Sequence, residues 1–91
     1  MDYKKHTQER FFEKLKVIIT DDEYNNLCEI CNKDENIIIQ IPNRNRSYKK
    51  IIKFNNNFIC CIVSHKKKII KTIYPISTRR MNKLQHKYEK L

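Results

Sequence analysis

Glycine is absent from these 91 residues, and proline occurs only twice. Turns must therefore be made by side chains that tolerate a left-handed backbone, and asparagine is the usual substitute. No apolar run approaches the roughly 18 residues that span a bilayer, and the N-terminus has no apolar signal-peptide core. The expectation is a soluble, cytoplasmic protein with no membrane partner. Acidic residues are scarce as well: ten Asp and Glu stand against twenty Lys and Arg, for a formal net charge of +10. Such an excess favours an anionic partner, whether RNA, DNA, an acidic protein or a lipid surface. With 40% of 91 residues apolar, there is material for one core and none for a second domain. Abundant Asn, Ile and Lys without Gly point to an AT-rich genome, viral or parasitic.

The four cysteines do not have metal-site spacing. Cys28 and Cys31 match half of a zinc knuckle, but Cys60 and Cys61 are adjacent, and neighbours on a strand point to opposite faces. All four are expected as free thiols in the core, where cysteine behaves as a small hydrophobe. No metal and no cofactor is expected.

Apolar periodicity orders the chain as two helices, four strands and a third helix. The first helix is expected over residues 3–16, with Thr7, Phe11, Leu15 and Ile18 on one stripe and Lys5, Glu9, Glu13 and Lys16 outside it. Thr20-Asp21-Asp22-Glu23 has the form of a capping box, opening a helix with Tyr24, Leu27, Cys28 and Cys31 on one face. Strands are predicted over residues 36–41, ending at Pro42, then 47–54, 58–64, and 69–74, ending at Pro75. The connections are short and polar, so neighbours are antiparallel and the sheet is a meander. The almost wholly apolar 58–64 segment should be interior, buried on both faces. Met81, Leu84 and Tyr88 recur at helical spacing in a basic tail over 78–91, read as a helix that packs loosely or only on binding. The fold class is α+β: two N-terminal helices on a four-stranded antiparallel meander in residues 1–76, with a basic C-terminal helix or tail in 77–91.

On the first helix, Lys5-His6-Thr7-Gln8-Glu9-Arg10 puts a proton carrier beside a cation that can clamp a phosphate. Residues four apart share a helical face, so His6 and Arg10 project together, flanked by Glu9 and Glu13. Thr72 and Tyr74, two apart on the last strand, share a strand face. That face is expected to meet the His6/Arg10 side of the helix. The same residues also read as a solvated helix face and an ordinary strand end.

With this element order, the chain resembles a small domain family of unknown function in the superfamily uniting barnase, EndoU, colicin ribonuclease domains and RelE-type toxins. The resemblance rests on Lys5-His6-x-x-Glu9-Arg10-x-x-Glu13-Lys14 and on Ile70-Lys71-Thr72-Ile73-Tyr74-Pro75, and covers roughly residues 3–76. Family members commonly have Arg at the position of Lys14 and glycines after the helix and in the hairpins. The resemblance implies a metal-independent endoribonuclease in which a ribose 2′-OH attacks the adjacent phosphate. His6 would then be the general acid or base, Arg10 the phosphate clamp, and Thr72 and Tyr74 polar contributors. A neighbouring lysine, Lys53 or Lys71, would add charge at the phosphate, and Glu9 or Glu13 is the other candidate base.

Further cations recur in the turns and tail: Arg44, Arg46, Lys49 and Lys50; Lys66, Lys67 and Lys68; Arg79 and Arg80. With Tyr48 and Tyr74 nearby they form a basic rim with aromatic platforms, a combination suited to RNA. The expected partners are RNA or the ribosome, with an acidic antitoxin or inhibitor as a protein partner. A catalytically inert RNA-binding module on the same fold is the alternative to the nuclease, and an inhibitor or assembly factor pairing through an edge strand is a third reading.

Overall fold

Asp2 sits in extended backbone and accepts the Lys5 amide at 3.1 Å, which starts α1 (Tyr3–Leu15). Lys16 ends it at φ 57°, in the left-handed region, with its N–H turned back to the Phe11 and Phe12 carbonyls. In this computed structural model, which describes residues 2–33 and 37–88, Thr7 and Phe11 are completely buried. Ile18, expected on the same stripe, is 78% exposed, and Ile19 is buried in its place. The reason is local: once the chain turns at Lys16, helical spacing no longer decides which side chain points inward.

The predicted capping box opens α2 (Asp21–Asn32), with Glu23 N–H donating to Thr20 Oγ1 at 3.1 Å and Thr20 N–H to Glu23 Oε1 at 3.0 Å. Such a cap contributes about 1 kcal/mol. Tyr24, Leu27, Cys28 and Cys31 are its buried residues, as the periodicity required. Gln8 Nε2 donates to the Ile19 carbonyl and to Asp21 Oδ1, tying the two helices at their junction.

The sheet is an antiparallel meander in the order β1 (Ile39–Asn43), β2 (Ser47–Phe54), β3 (Asn57–Ser64), β4 (Ile70–Ile76). Pro42 and Pro75 lie inside β1 and β4 instead of ending them. Both belong to edge strands, where a missing N–H need not break a ladder and also discourages pairing with another chain. The expected start of β1 at Asn36 lies outside the described residues, as do residues 89–91 and the side chain of Tyr88.

Each face of the sheet carries its own apolar cluster. On one, Phe11, Tyr24, Leu27, Cys28 and Cys31 pack on Ile52, Ile59, Cys61, Val63, Ile70 and Ile73. On the other, Met81 of α3 (Thr78–Tyr88) packs with Ile39, Ile51, Cys60 and Ile76, and Leu84 and Tyr74 border them. Cys60 and Cys61 thus point to opposite faces, and β3 is covered on both, as its apolar sequence demanded. Met81 is 1% exposed, so α3 is an integral layer of the fold, not a loosely held tail. The architecture is α+β, with the sheet between α1 and α2 on one side and α3 on the other.

A bulge in β4 sets the helix positions. Val63 is opposite Ile70 and Ile62 is opposite Thr72, leaving Lys71 as the extra residue. The Ile70 peptide is free to serve the helices: its carbonyl accepts Tyr24 Oη at 2.7 Å and Thr7 Oγ1 at 3.4 Å, and its N–H donates to Cys28 Sγ at 3.4 Å. Three side chains from two helices converge on one residue.

Candidate nucleic-acid interface

Two of the three hairpin turns lie at the same end of the meander. The β1–β2 turn is held by Ser47, whose buried hydroxyl donates to the Arg44 carbonyl at 2.6 Å and accepts from Asn43 Nδ2 at 3.2 Å. The β3–β4 turn is held by Ser64, whose Oγ accepts the Lys67 amide at 3.1 Å and whose carbonyl accepts the Lys68 amide at 2.9 Å. His65 N–H donates to the Arg46 carbonyl at 2.9 Å, joining the two turns. Asn32 Nδ2 donates to the Lys68 carbonyl at 2.8 Å and anchors the second turn to the end of α2. Their cationic side chains are therefore displayed on a braced backbone.

Without glycine, the turns use left-handed residues of other types. Asn45, Asn55 and Asn56 have positive φ, as expected of asparagine, but so do Arg46 at 54° and Lys68 at 56°. For a residue with a long side chain this region costs about 1–2 kcal/mol. Strain of that kind concentrates at functional positions, and both residues lie in the basic turns.

A pocket of about 200 Å³ opens between these turns and the start of α1, lined by Tyr3, Asn45, Arg46, Ser64, Lys66, Lys67 and Lys71. Four of its seven lining residues are cationic and none is acidic. The Tyr3 ring lies 5.9 Å from Lys67 Nζ and 6.0 Å from Lys71 Nζ, within cation–π range. Arg46 is shared with a neighbouring cavity of about 240 Å³, in which Tyr48 meets His65 edge-on at 5.3 Å. The result is a continuous basic surface with two aromatic rings.

Not all of the expected site residues gather here. Arg46, Lys66, Lys67 and Lys71 do, and Arg44 and Lys68 belong to the same turns. Lys49 and Arg80 line a separate cavity beneath α3, Arg79 is exposed on α3, and Lys53 shares a strand face with Ile51 on that side.

The four expected catalytic residues are divided by the sheet. His6 and Arg10 stand on α1, where Arg10 pairs with Glu13 at 3.7 Å. Thr72 and Tyr74 alternate with Ile73, which faces α1, and so they face α3; Thr72 pairs with Ile62 and Tyr74 with Cys60, both on that side. The expectation that their strand face meets α1 is corrected accordingly. The physical reason is parity: the α1 stripe docks on Ile70 and Ile73, and the bulge at Lys71 sends Thr72 and Tyr74 the other way.

Sequence reasoning overlooked Tyr3, and its placing of Lys50 in the basic rim is corrected, because Lys50 lies on the strand face turned toward α2. Tyr3 lies one helical turn before Thr7, so the Thr7 bond to Ile70 brings it over Lys71, a relation legible only once that contact is known. Lys50 is 9% exposed, and its Nζ donates to the Cys31 carbonyl at 2.7 Å, capping the end of α2 with a cation. All four cysteines are free and buried. Burial pushes the Cys28 and Cys60 thiols up, whereas a hydrogen bond from Cys61 draws Cys31 down, with Lys50 adding to the effect. Burial and the neighbouring Cys60 push the Tyr74 hydroxyl up to about 12.

Fold and surface together define a small basic α+β domain with a cluster of cations at one end of its sheet. No protein family, curated protein or solved structure matches the chain. Among the described residues, no helix is long and apolar enough to cross a membrane.

Proposed function

We propose that this protein is an RNA-binding module that grips a single strand across the basic turn end of its sheet. The observation that carries this reading is the convergence of Arg46, Lys66, Lys67 and Lys71 on one pocket with the Tyr3 ring, with no carboxylate among the described residues that line it. Cations neutralise phosphates, and an aromatic ring offers a sequence-tolerant platform for a base. Tyr48 in the adjoining cavity supplies a second platform along the same path. Binding takes precedence over endoribonuclease activity because His6 and Arg10 face away from Thr72 and Tyr74, so the implied catalytic set does not share one cleft. RNA, free or on the ribosome, is the partner; an acidic inhibitor protein would compete for the same cations.

Fluorescence anisotropy with a labelled single-stranded RNA tests this. Neutralising about four phosphates gives a salt slope near −2.8, or a loss of about 50-fold in affinity between roughly 50 and 200 mM salt. The combined change Lys66→Gln, Lys67→Gln and Lys71→Gln should flatten the slope to about −0.7. A slope that survives the triple change refutes this surface as the binding site. Cleavage of the same RNA in EDTA, abolished by His6→Ala, would instead restore the nuclease.

A further inference from the structure

The second face of the sheet holds a cavity that RNA binding does not use. It lies beneath α3, with a volume of about 200 Å³. Its apolar surface comes from Ile41 and Ile76 on the sheet and Leu84 on the helix, with the buried Ile51 and Cys60 in its wall beside Tyr74. Three cations line it, Lys49 from the sheet and Arg80 and Lys87 from α3, and none of the described residues lining it is acidic. Lys49 and Arg80 are near enough for their charge to act on the Cys60 thiol.

We propose that this cavity binds a small apolar carboxylate, its body against Ile41, Ile76 and Leu84 and its carboxylate between Arg80 and Lys49. Size and charge together select that class. The space exceeds the about 150 Å³ that suffices for benzene in an apolar protein cavity, yet falls below the about 300 Å³ at which drug-sized sites begin. An aromatic ring or a short acyl chain fits, and a nucleotide does not. Arg80 offers a planar fork that matches a carboxylate in two parallel hydrogen bonds. A neutral molecule of the same shape would fill the apolar part but form no ion pair with Arg80 and Lys49.

Benzoate and its uncharged isostere benzamide are suitable probes. Titration of isotope-labelled full-length protein, followed by NMR, should shift the signals of Cys60, Tyr74, Ile76 and Leu84 with benzoate, at an affinity about tenfold or more above that of benzamide. Arg80→Gln should lower benzoate affinity by about tenfold and leave benzamide unaffected. Leu84→Trp, which fills the cavity, should abolish both. Because the shift map is read on the unaltered protein, it does not depend on any variant folding. Equal affinity for the two probes, benzoate shifts confined to the Lys66–Lys68 turn, or full benzoate affinity in Leu84→Trp would each overturn the proposal.

Discussion

The Ile70 carbonyl is the point at which both N-terminal helices are fixed, and its removal from hydrogen bonding can be measured in steps. Tyr24→Phe deletes a buried 2.7 Å bond while keeping the ring, a net loss of about 1–1.5 kcal/mol. Thr7→Val is close in shape and deletes the longer 3.4 Å bond, for about 0.5–1 kcal/mol. Each single change leaves the carbonyl one partner. The double change leaves it neither, so the desolvation penalty of a buried acceptor, about 1–3 kcal/mol, appears only then. The double variant should therefore lose about 1 kcal/mol or more beyond the sum of the singles, well outside the 0.3–0.5 kcal/mol within which independent sites add. Urea unfolding with a constant m-value gives all four stabilities, and each kcal/mol corresponds to about 4–8 °C in Tm for a domain of this size. Additivity within that margin would refute the shared-acceptor account and reduce Thr7 and Tyr24 to separate packing residues.

Arg46→Gly should relieve the left-handed strain and stabilise the fold by up to about 1 kcal/mol while weakening RNA binding; a variant that loses both, or neither, argues against strain held for function. Met81→Ala should cost about 2–5 kcal/mol in urea unfolding, since a fully buried side chain is truncated, and a loss below about 0.5 kcal/mol would mean that α3 is dispensable. Alkaline pH should destabilise the protein. Folding holds Cys28 and Cys60 above 9.0 and Tyr74 at about 12 against 10.0, so the unfolded chain releases these protons first and stability falls between pH 9 and 12. Cys31, whose folded value lies below 9.0, contributes in the opposite sense, and that contribution is complete once the unfolded thiol has ionised. A urea midpoint that stays level or rises across this range contradicts the account.

Local chemistry was enough to determine the order and type of the elements, though not the strand ends at Pro42 and Pro75. The capping box, the helical stripe through Thr7 and Phe11, the asparagine turns and the apolar 58–64 segment each depend on residues close in sequence, and each is found as its pattern implied. Hairpin turns too short for a crossover fixed the meander. The face on which each element lies, however, is a long-range matter. A single extra residue at Lys71 inverts the parity of β4 between Ile70 and Thr72, and with it the side of the sheet that Thr72 and Tyr74 join. Sequence spacing counts residues without knowing where a ladder slips, so it placed His6, Arg10, Thr72 and Tyr74 together. Only tertiary structure, through the His65–Arg46 backbone bond and the docking of α1 on Ile70, brought Tyr3 and the cations of two distant turns into one pocket.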